Sequence, residues 1–191
     1  MTTGYSFYVK MMERLKTHAV TLRSENVLLR PMDEDDWELL MKWNNDPEIL
    51  HFVEGDEVTQ RRLEEVQQIY RSVSQNAFCF IIEFNGASIG ECWLQRMNLE
   101  RICKQYRGQD GRRIDIVIGE KAFWGQGIGS EVICLLTEFG FEREGANAIF
   151  ACDVADYNVR SVRAFQKVGF EVCATWHNRR QTRLVIATIW S

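Results

Sequence analysis

Two short stretches of this chain carry residue types whose spacing suggests chemistry. The first is FWGQGIGSEV, residues 123–132, where Gly125, Gly127 and Gly129 alternate directly ahead of a helical pattern. Glycine in a helix costs roughly 1 kcal/mol against alanine, so three together need a reason. A helix N-terminus presents unpaired N–H groups and about half a positive charge. Glycines ahead of it let an anion approach the backbone closely. The chemistry expected here is phosphate binding by main-chain amides. The run lacks the Gly-Lys-Ser/Thr of a P-loop, and G-x-G-x-G is not the dinucleotide fingerprint. Taken alone, it is equally well a tight turn without a ligand.

The second stretch is RIDIVIG, residues 113–119. Asp115 alternates with Ile114 and Ile116, so on a strand it points to the face opposite the isoleucines. Burying an unpaired carboxylate among β-branched neighbours is costly. Asp115 is therefore either a site residue or the partner of a structural arginine, Arg112 or Arg113.

These residues need elements to hold them. NVLLRPM gives a short strand. DEDDWELLMKWNND gives a helix capped by Asp33, with Trp37, Leu40, Met41 and Asn44 on one face and Pro47 as its stop. TQRRLEEVQQIYRSV gives a second helix, with Thr59 as cap. AFCFIIEF, the turn Asn85-Gly86 and ASIGECWLQR make a β-hairpin. Met97 to Gly111 is a polar, basic loop or insertion, and residues 112–119 are a strand. GIGSEVICLLTEFGFERE follows as a helix, NAIFACDV as a strand, and NVRSVRAFQKV as a helix capped by Asn158 and stopped at Gly169. FEVCATW and RLVIATIW close as two strands. The fold class expected is α/β, a mixed central sheet of about seven strands with helices on both faces, parallel across the two late β-α-β crossovers. Residues 1–25 form an N-terminal extension, with a helix near Tyr8 to Leu15, and 26–191 the domain.

The chain has 191 residues, enough for one self-supporting core, and its 46% hydrophobic and 26% charged content is that of a soluble globular protein. A net charge of -4 argues against nucleic-acid binding. Charge is uneven: Asn26 to Glu65 holds twelve acids against four bases, and Gln95 to Arg113 holds six bases against two acids. These are two solvated faces, or an acidic lip for a cationic substrate beside a basic stretch. The six cysteines show no C-x-x-C pair and no histidine nearby, so no metal site is expected. No signal peptide or run of about 20 apolar residues is present, which implies no membrane partner, a cytoplasmic location and free, mostly buried thiols. A monomer or a homodimer fits equally, the last strands and the extension being possible dimer surfaces.

The stretch IDIVIGEKAFWGQGIGSEV followed by DYNVRSVRAFQKVGF resembles the GCN5-related N-acetyltransferase (GNAT) family, and LLRPMDEDDWELLMKW resembles that family's opening. The resemblance covers roughly Asn26 to Trp190 and implies the family's fold, with acetyl-CoA as cosubstrate. It implies that Gln126, Gly127, Ile128, Gly129 and Ser130 line the pyrophosphate through backbone N–H groups. Val117 and Ile118 would pair with the pantetheine arm at a splay in the sheet, and Asn158 would bond the same arm. Trp124 departs from the Arg or Gln common at that place. Phe165 lies against the cofactor at the position where many members carry the Tyr that protonates the leaving thiolate. A phenyl ring has no proton to give, which leaves that role to Tyr157, Cys152 or water.

Within the family, IDIVIG resembles the strand of aminoglycoside 6'-N-acetyltransferases, in which an Asp contacts the accepting amine. Trp43 to Asn45 matches a further motif of theirs, and Asp153 matches an acid after the next strand. The implied reaction is acetyl transfer to a primary amine, foremost the 6'-amine of an aminoglycoside-like small molecule. Asp115 is the catalytic residue, and Trp43, Asp115 and Asp153 bind the substrate. An ordinary Asp, at about 3.9, is a weak base for an amine unless desolvated, so Asp115 would orient the amine and take a proton late. The basic stretch Gln95 to Arg113 stands where those enzymes place acidic loops. That mismatch keeps open a protein N-terminal or lysine-type acetyltransferase, and Phe165 keeps open a non-catalytic acyl-CoA-binding module.

Overall fold

A computed structural model describes residues 14–53, 55, 60–177 and 181–189. Its sheet has eight strands: β1 (Leu22–Arg23), β2 (Val27–Pro31), β3 (Ala77–Phe84), β4 (Ala87–Arg96), β5 (Gly111–Ile118), β6 (Ala148–Ala155), β7 (Glu171–His177) and β8 (Thr182–Ile189). The strand more than expected is the two-residue β1, too short to show a pattern. The hairpin β3–β4 turns at Asn85 and Gly86, both with positive φ (50° and 81°), as a two-residue type I′ loop requires.

Among the described residues six α-helices pack on this sheet: α1 (Trp37–Trp43), α2 (Pro47–Val53), α3 (Leu63–Ser74), α4 (Glu100–Gln105), α5 (Ile128–Glu138) and α6 (Val159–Lys167). Asp33 does cap the first, through a 3-10 turn (Glu34–Asp36) and a capping box with Asp36. Pro47 does not simply stop α1. It begins α2, where its missing N–H is no loss and Asp46 Oδ1 accepts from the amides of Glu48 (2.9 Å) and Ile49 (3.3 Å). For α3 the cap is Arg62, with Glu65 answering it, and Thr59 lies outside the described residues. The expected loop after β4 contains α4. The helix expected near Tyr8 to Leu15 falls almost wholly on residues outside the description.

The strand order is β1-β2-β3-β4-β5-β6-β8-β7. Only one late crossover joins sheet neighbours: β5 and β6 pair in parallel, whereas β8 enters between β6 and β7, antiparallel to both. β5 pairs with β4 from Arg112 to Ile118, but with β6 only over Gly111 to Arg113. Beyond Arg113 the two strands part, and that splay makes the site possible.

The two faces of the sheet hold different cores. Ile114, Cys92 and Leu94 face α5, packing with Val132, Leu136 and Phe139. On the other face Leu40 and Trp43 of α1, Val66 and Tyr70 of α3, and Cys79 and Ile81 of β3 form a second cluster, with Trp93 and Val117 against it. Each large side chain so buried contributes roughly 1.5–3 kcal/mol. Of the six cysteines, Cys79 and Cys92 are buried and Cys152 is half-buried, but Cys103, Cys134 and Cys173 are exposed, which corrects the expectation of mostly buried thiols.

Candidate active site

Where β5 leaves β6, two spaces open side by side. One is a groove of about 400 Å³ lined by Val117, Ile118, Trp124, the start of α5 and one face of α6. The other is a cavity of about 320 Å³ under α1 to α3, lined by Trp43, Glu91, Asp115, Asp153 and Phe165 among others. Ile116, Val117, Asn158 and Ser161 border both, so the two spaces meet at the open edge of β5.

The groove's polar end is the N-terminus of α5. Gly127 caps it in the left-handed region (φ 85°), a backbone conformation that glycine adopts without steric cost and that turns the chain into the helix. No side chain caps the helix. The amides of Ser130 and Glu131 donate to the Gly127 carbonyl at 3.0 and 3.2 Å, leaving those of Ile128 and Gly129 without a helical partner. Gln126 turns away, its Nε2 donating to the Ala122 carbonyl at 2.7 Å, and its side chain does not line the groove. Facing this end, α6 presents Arg160, Arg163 and Lys167, and Lys167 Nζ lies 4.0 Å from where a Cβ on Gly127 would stand. The NVRSVRAFQK spacing carried that basic stripe, which sequence reasoning passed over in favour of the glycines.

Trp124 also finds its reason here. Its Nε1 donates to the Ile118 carbonyl at 2.7 Å, tying the glycine loop to the end of β5. That carbonyl is therefore already engaged, while Val117 stands at the open strand edge. The Arg160 guanidinium lies 4.1 Å from the Trp124 ring and 4.7 Å from Phe52, a cation between two aromatic faces that joins α2, the loop and α6. Asn158 caps α6, its Oδ1 accepting from Ser161 N at 3.2 Å.

In the cavity, Asp115 does point away from Ile114 and Ile116, and it does have an arginine: Arg113 Nε donates to Oδ2 at 2.7 Å. Burial nevertheless outweighs that partner and holds the carboxyl above its ordinary value. The side chain keeps 32% of its surface and lines the cavity. Trp43 lines the wall, but its Nε1 donates to Glu120 Oε1 at 2.9 Å, so only its ring faces a substrate. Asp153 sits at a break in the β6–β8 register with φ 61°, and its Oδ1 accepts from Trp176 Nε1 at 2.8 Å and from Arg101. It borders the same cavity, with its charge already matched.

Neither side-chain candidate for the vacant acid fits it. The Tyr157 hydroxyl donates to the His51 carbonyl at 2.8 Å and Tyr157 does not line the cavity, while Cys152 lines it with a thiol that burial pushes up to about 12, a weaker acid than an ordinary thiol. Phe165 is buried, its ring 5.1 Å from Phe170. Of the basic stretch, Arg96, Arg101, Lys104, Arg112 and Arg113 each pair with a carboxylate, so it does not present its nominal charge to the cavity. Sequence reasoning missed Glu91, an acid set among apolar residues of the hairpin just as Asp115 is in its strand.

The family described as acetyltransferase (GNAT) domain matches residues 26–171. The chain belongs to the GNAT family. It is an acetyl-CoA-dependent N-acetyltransferase. Among curated relatives it is 26% identical over 160 residues to an aminoglycoside N(6')-acetyltransferase type 1 of Klebsiella pneumoniae, covering 82% of this chain and 79% of that one. Aminoglycoside acetyltransferase AAC(6')-Ib, solved with ribostamycin and coenzyme A, superposes with a TM-score of 0.74 at 24% identity, covering 86% of this chain and 94% of that one. Spermidine N-acetyltransferase from Vibrio cholerae, solved with CoA and spermine, gives 0.70 at 16% identity, over 87% and 96%. At these identities the solved structures show the fold. Among the described residues, no helix is long and apolar enough to cross a membrane, and no three His, Cys, Asp or Glu side chains are grouped to hold a metal.

Proposed function

We propose that this GNAT enzyme acetylates a primary amine of a small polycationic molecule, foremost the 6'-amine of an aminoglycoside-like substrate. The observation that carries this reading is the desolvated carboxyl of Asp115, open to a cavity that meets the groove at the splay. The groove suits the donor. The free amides of α5, with Arg163 and Lys167 opposite, fit the phosphates of acetyl-CoA. The open edge of β5 at Val117, with Asn158 beside it, fits the amide-bearing arm. Acetyl-CoA supplies an activated acetyl thioester at the junction. Asp115 orients the amine there and accepts the proton released as the new bond forms, a role its raised proton affinity favours. Phe165 leaves the departing sulfur to solvent. The curated aminoglycoside relatives and the pairing of the basic stretch both favour the small-molecule amine over a protein N-terminus.

A screen of kanamycin, spermine and N-terminal peptides with acetyl-CoA, read by product mass, tests the reading. Turnover of kanamycin is expected, with Asp115→Asn lowering kcat by about 10²-fold. Turnover of peptides alone, or full kcat in that variant, would overturn it.

A further inference from the structure

Glu91 is the third carboxyl that lines the cavity, beside Asp115 and Asp153. It is 3% exposed yet lines the cavity. Its Oε2 is buried without a hydrogen-bond partner among the described residues. Buried polar atoms are almost always paired, so an unpaired one on a side chain that lines a cavity calls for a ligand. The ladder fixes where that oxygen works. Glu91 stands opposite Val117, and Trp93 stands opposite Asp115, in the β4–β5 register. All four therefore share one face of the sheet, with Glu91 and Asp115 diagonal neighbours within reach of long side chains. Val117 borders both groove and cavity, so Glu91 flanks the point where donor and amine must meet. Behind it, Asn44 Nδ2 donates to the Tyr70 hydroxyl at 2.8 Å, and that hydroxyl favours the charged form of Glu91.

We propose that Glu91 is the proton acceptor that converts the substrate's ammonium into the attacking amine. This rests on the reading of the cavity as the amine site. One N–H proton of the ammonium passes to Glu91, freeing the nitrogen lone pair. That pair attacks the thioester carbonyl carbon, and the C–N bond forms. A second proton, made acidic by the new bond, passes to Asp115. The C–S bond breaks, sulfur leaves as thiolate, and solvent protonates it. Glu91 and Asp115 then return their protons to solvent through the cavity mouth.

The surroundings suit a group that cycles near neutral pH. Burial, and then the Asp115 carboxylate, push Glu91 up to about 8, while the Tyr70 hydroxyl pulls it down. Cys79 on β3 and Cys92 beside it are held as neutral thiols by their own burial. Arg113 is taken by Asp115, Asp153 by Arg101, and Arg61 borders the cavity from the loop before α3.

Two measurements on the full chain test this. In the first, kcat/KM for the acetylated amine is followed from pH 5.5 to 9.5 in the wild type, Glu91→Gln and Glu91→Asp. The wild-type value is expected to rise with pH and level above about 8. Glu91→Gln should lose about 10²-fold and that rise, and Glu91→Asp should restore part of both. In the second, binding of kanamycin without acetyl-CoA is measured by calorimetry in buffers of different ionisation heat at pH 7. The wild type should release a proton as the ammonium draws Glu91 into its charged form, and Glu91→Gln should not. An unaltered pH profile in Glu91→Gln, or equal proton release by both proteins, would overturn the proposal. Because the calorimetry needs no turnover, a failed acetylation screen with Glu91-dependent proton release would remove the reaction assigned above and leave Glu91 as the ammonium's partner.

Discussion

Under the proposed function, Phe165 places a ring where a proton donor would help. It lines the cavity while packing on Phe170, so under the proposed function a para hydroxyl there could serve the leaving sulfur. Phe165→Tyr is expected to raise kcat with little change in KM, because an acid at that point acts on the departing thiolate and not on binding. Steady-state kinetics decide it, and an unchanged or lowered kcat would show that solvent already protonates the sulfur fast enough. At this scale the sequence was informative wherever an unusual residue interrupts a regular pattern. Asp115 breaks a run of β-branched residues, and it lines the cavity. Glu91 breaks its hairpin strand in the same way, but a hairpin strand ordinarily has a wet face, and that ordinary expectation hid it. Trp124 had no reading from sequence because its partners, the Ile118 carbonyl and Arg160, lie 6 and 36 residues further along or back in the chain and meet it only in the fold.

Among elements, the junction of α1 with the end of β5 sets the cavity's wall. Trp43 lies flat on Gly119, where an added Cβ would stand 2.3 Å from the indole. Gly119→Ala is therefore expected to push the ring off its seat and away from Glu120. The cost should be about 1–3 kcal/mol in urea unfolding, typical of overpacking, with a rise in KM for the amine. An unmoved urea midpoint would mean that the ring adapts without loss. The strands and helices around the site were mostly legible from period and turn residues. Their pairing was not: nothing local in NAIFACDV or RLVIATIW says that β8 enters between β6 and β7, or that β5 keeps β6 for only three residues. α2 escaped because a proline can end one helix or start the next, and Asp46 as its cap decides for the second.

For the whole molecule, the carboxyls divide by environment. Arg112 holds Asp110, and Lys42 holds Glu120, below their ordinary values, so these pairs support the fold above the ordinary carboxylate range and are lost as pH falls through the lowered values. Glu91 runs the other way. Its folded value is raised by burial, so its contribution is fully present below the ordinary glutamate value and is lost as pH climbs towards about 8. The melting temperature of the wild type is accordingly expected to decline from the ordinary glutamate range up to about pH 8, and Glu91→Gln should flatten that decline whatever its absolute stability. Parallel slopes in calorimetric melts of the two proteins would contradict a raised Glu91. The strand order carries a different consequence, one of timing. On the ribosome the meander from β1 to β5 can pair as it emerges, since its neighbours in space are neighbours in synthesis. The wall carrying Asp153 must wait, because β6 receives its second partner only when Thr182 to Ile189 has left the exit tunnel. A stalled chain, or one clipped ahead of β8, would hold a nearly whole groove beside a cavity whose Asp153 wall is unfinished. Acetylation should therefore switch on once β8 has paired and not build up gradually with chain length.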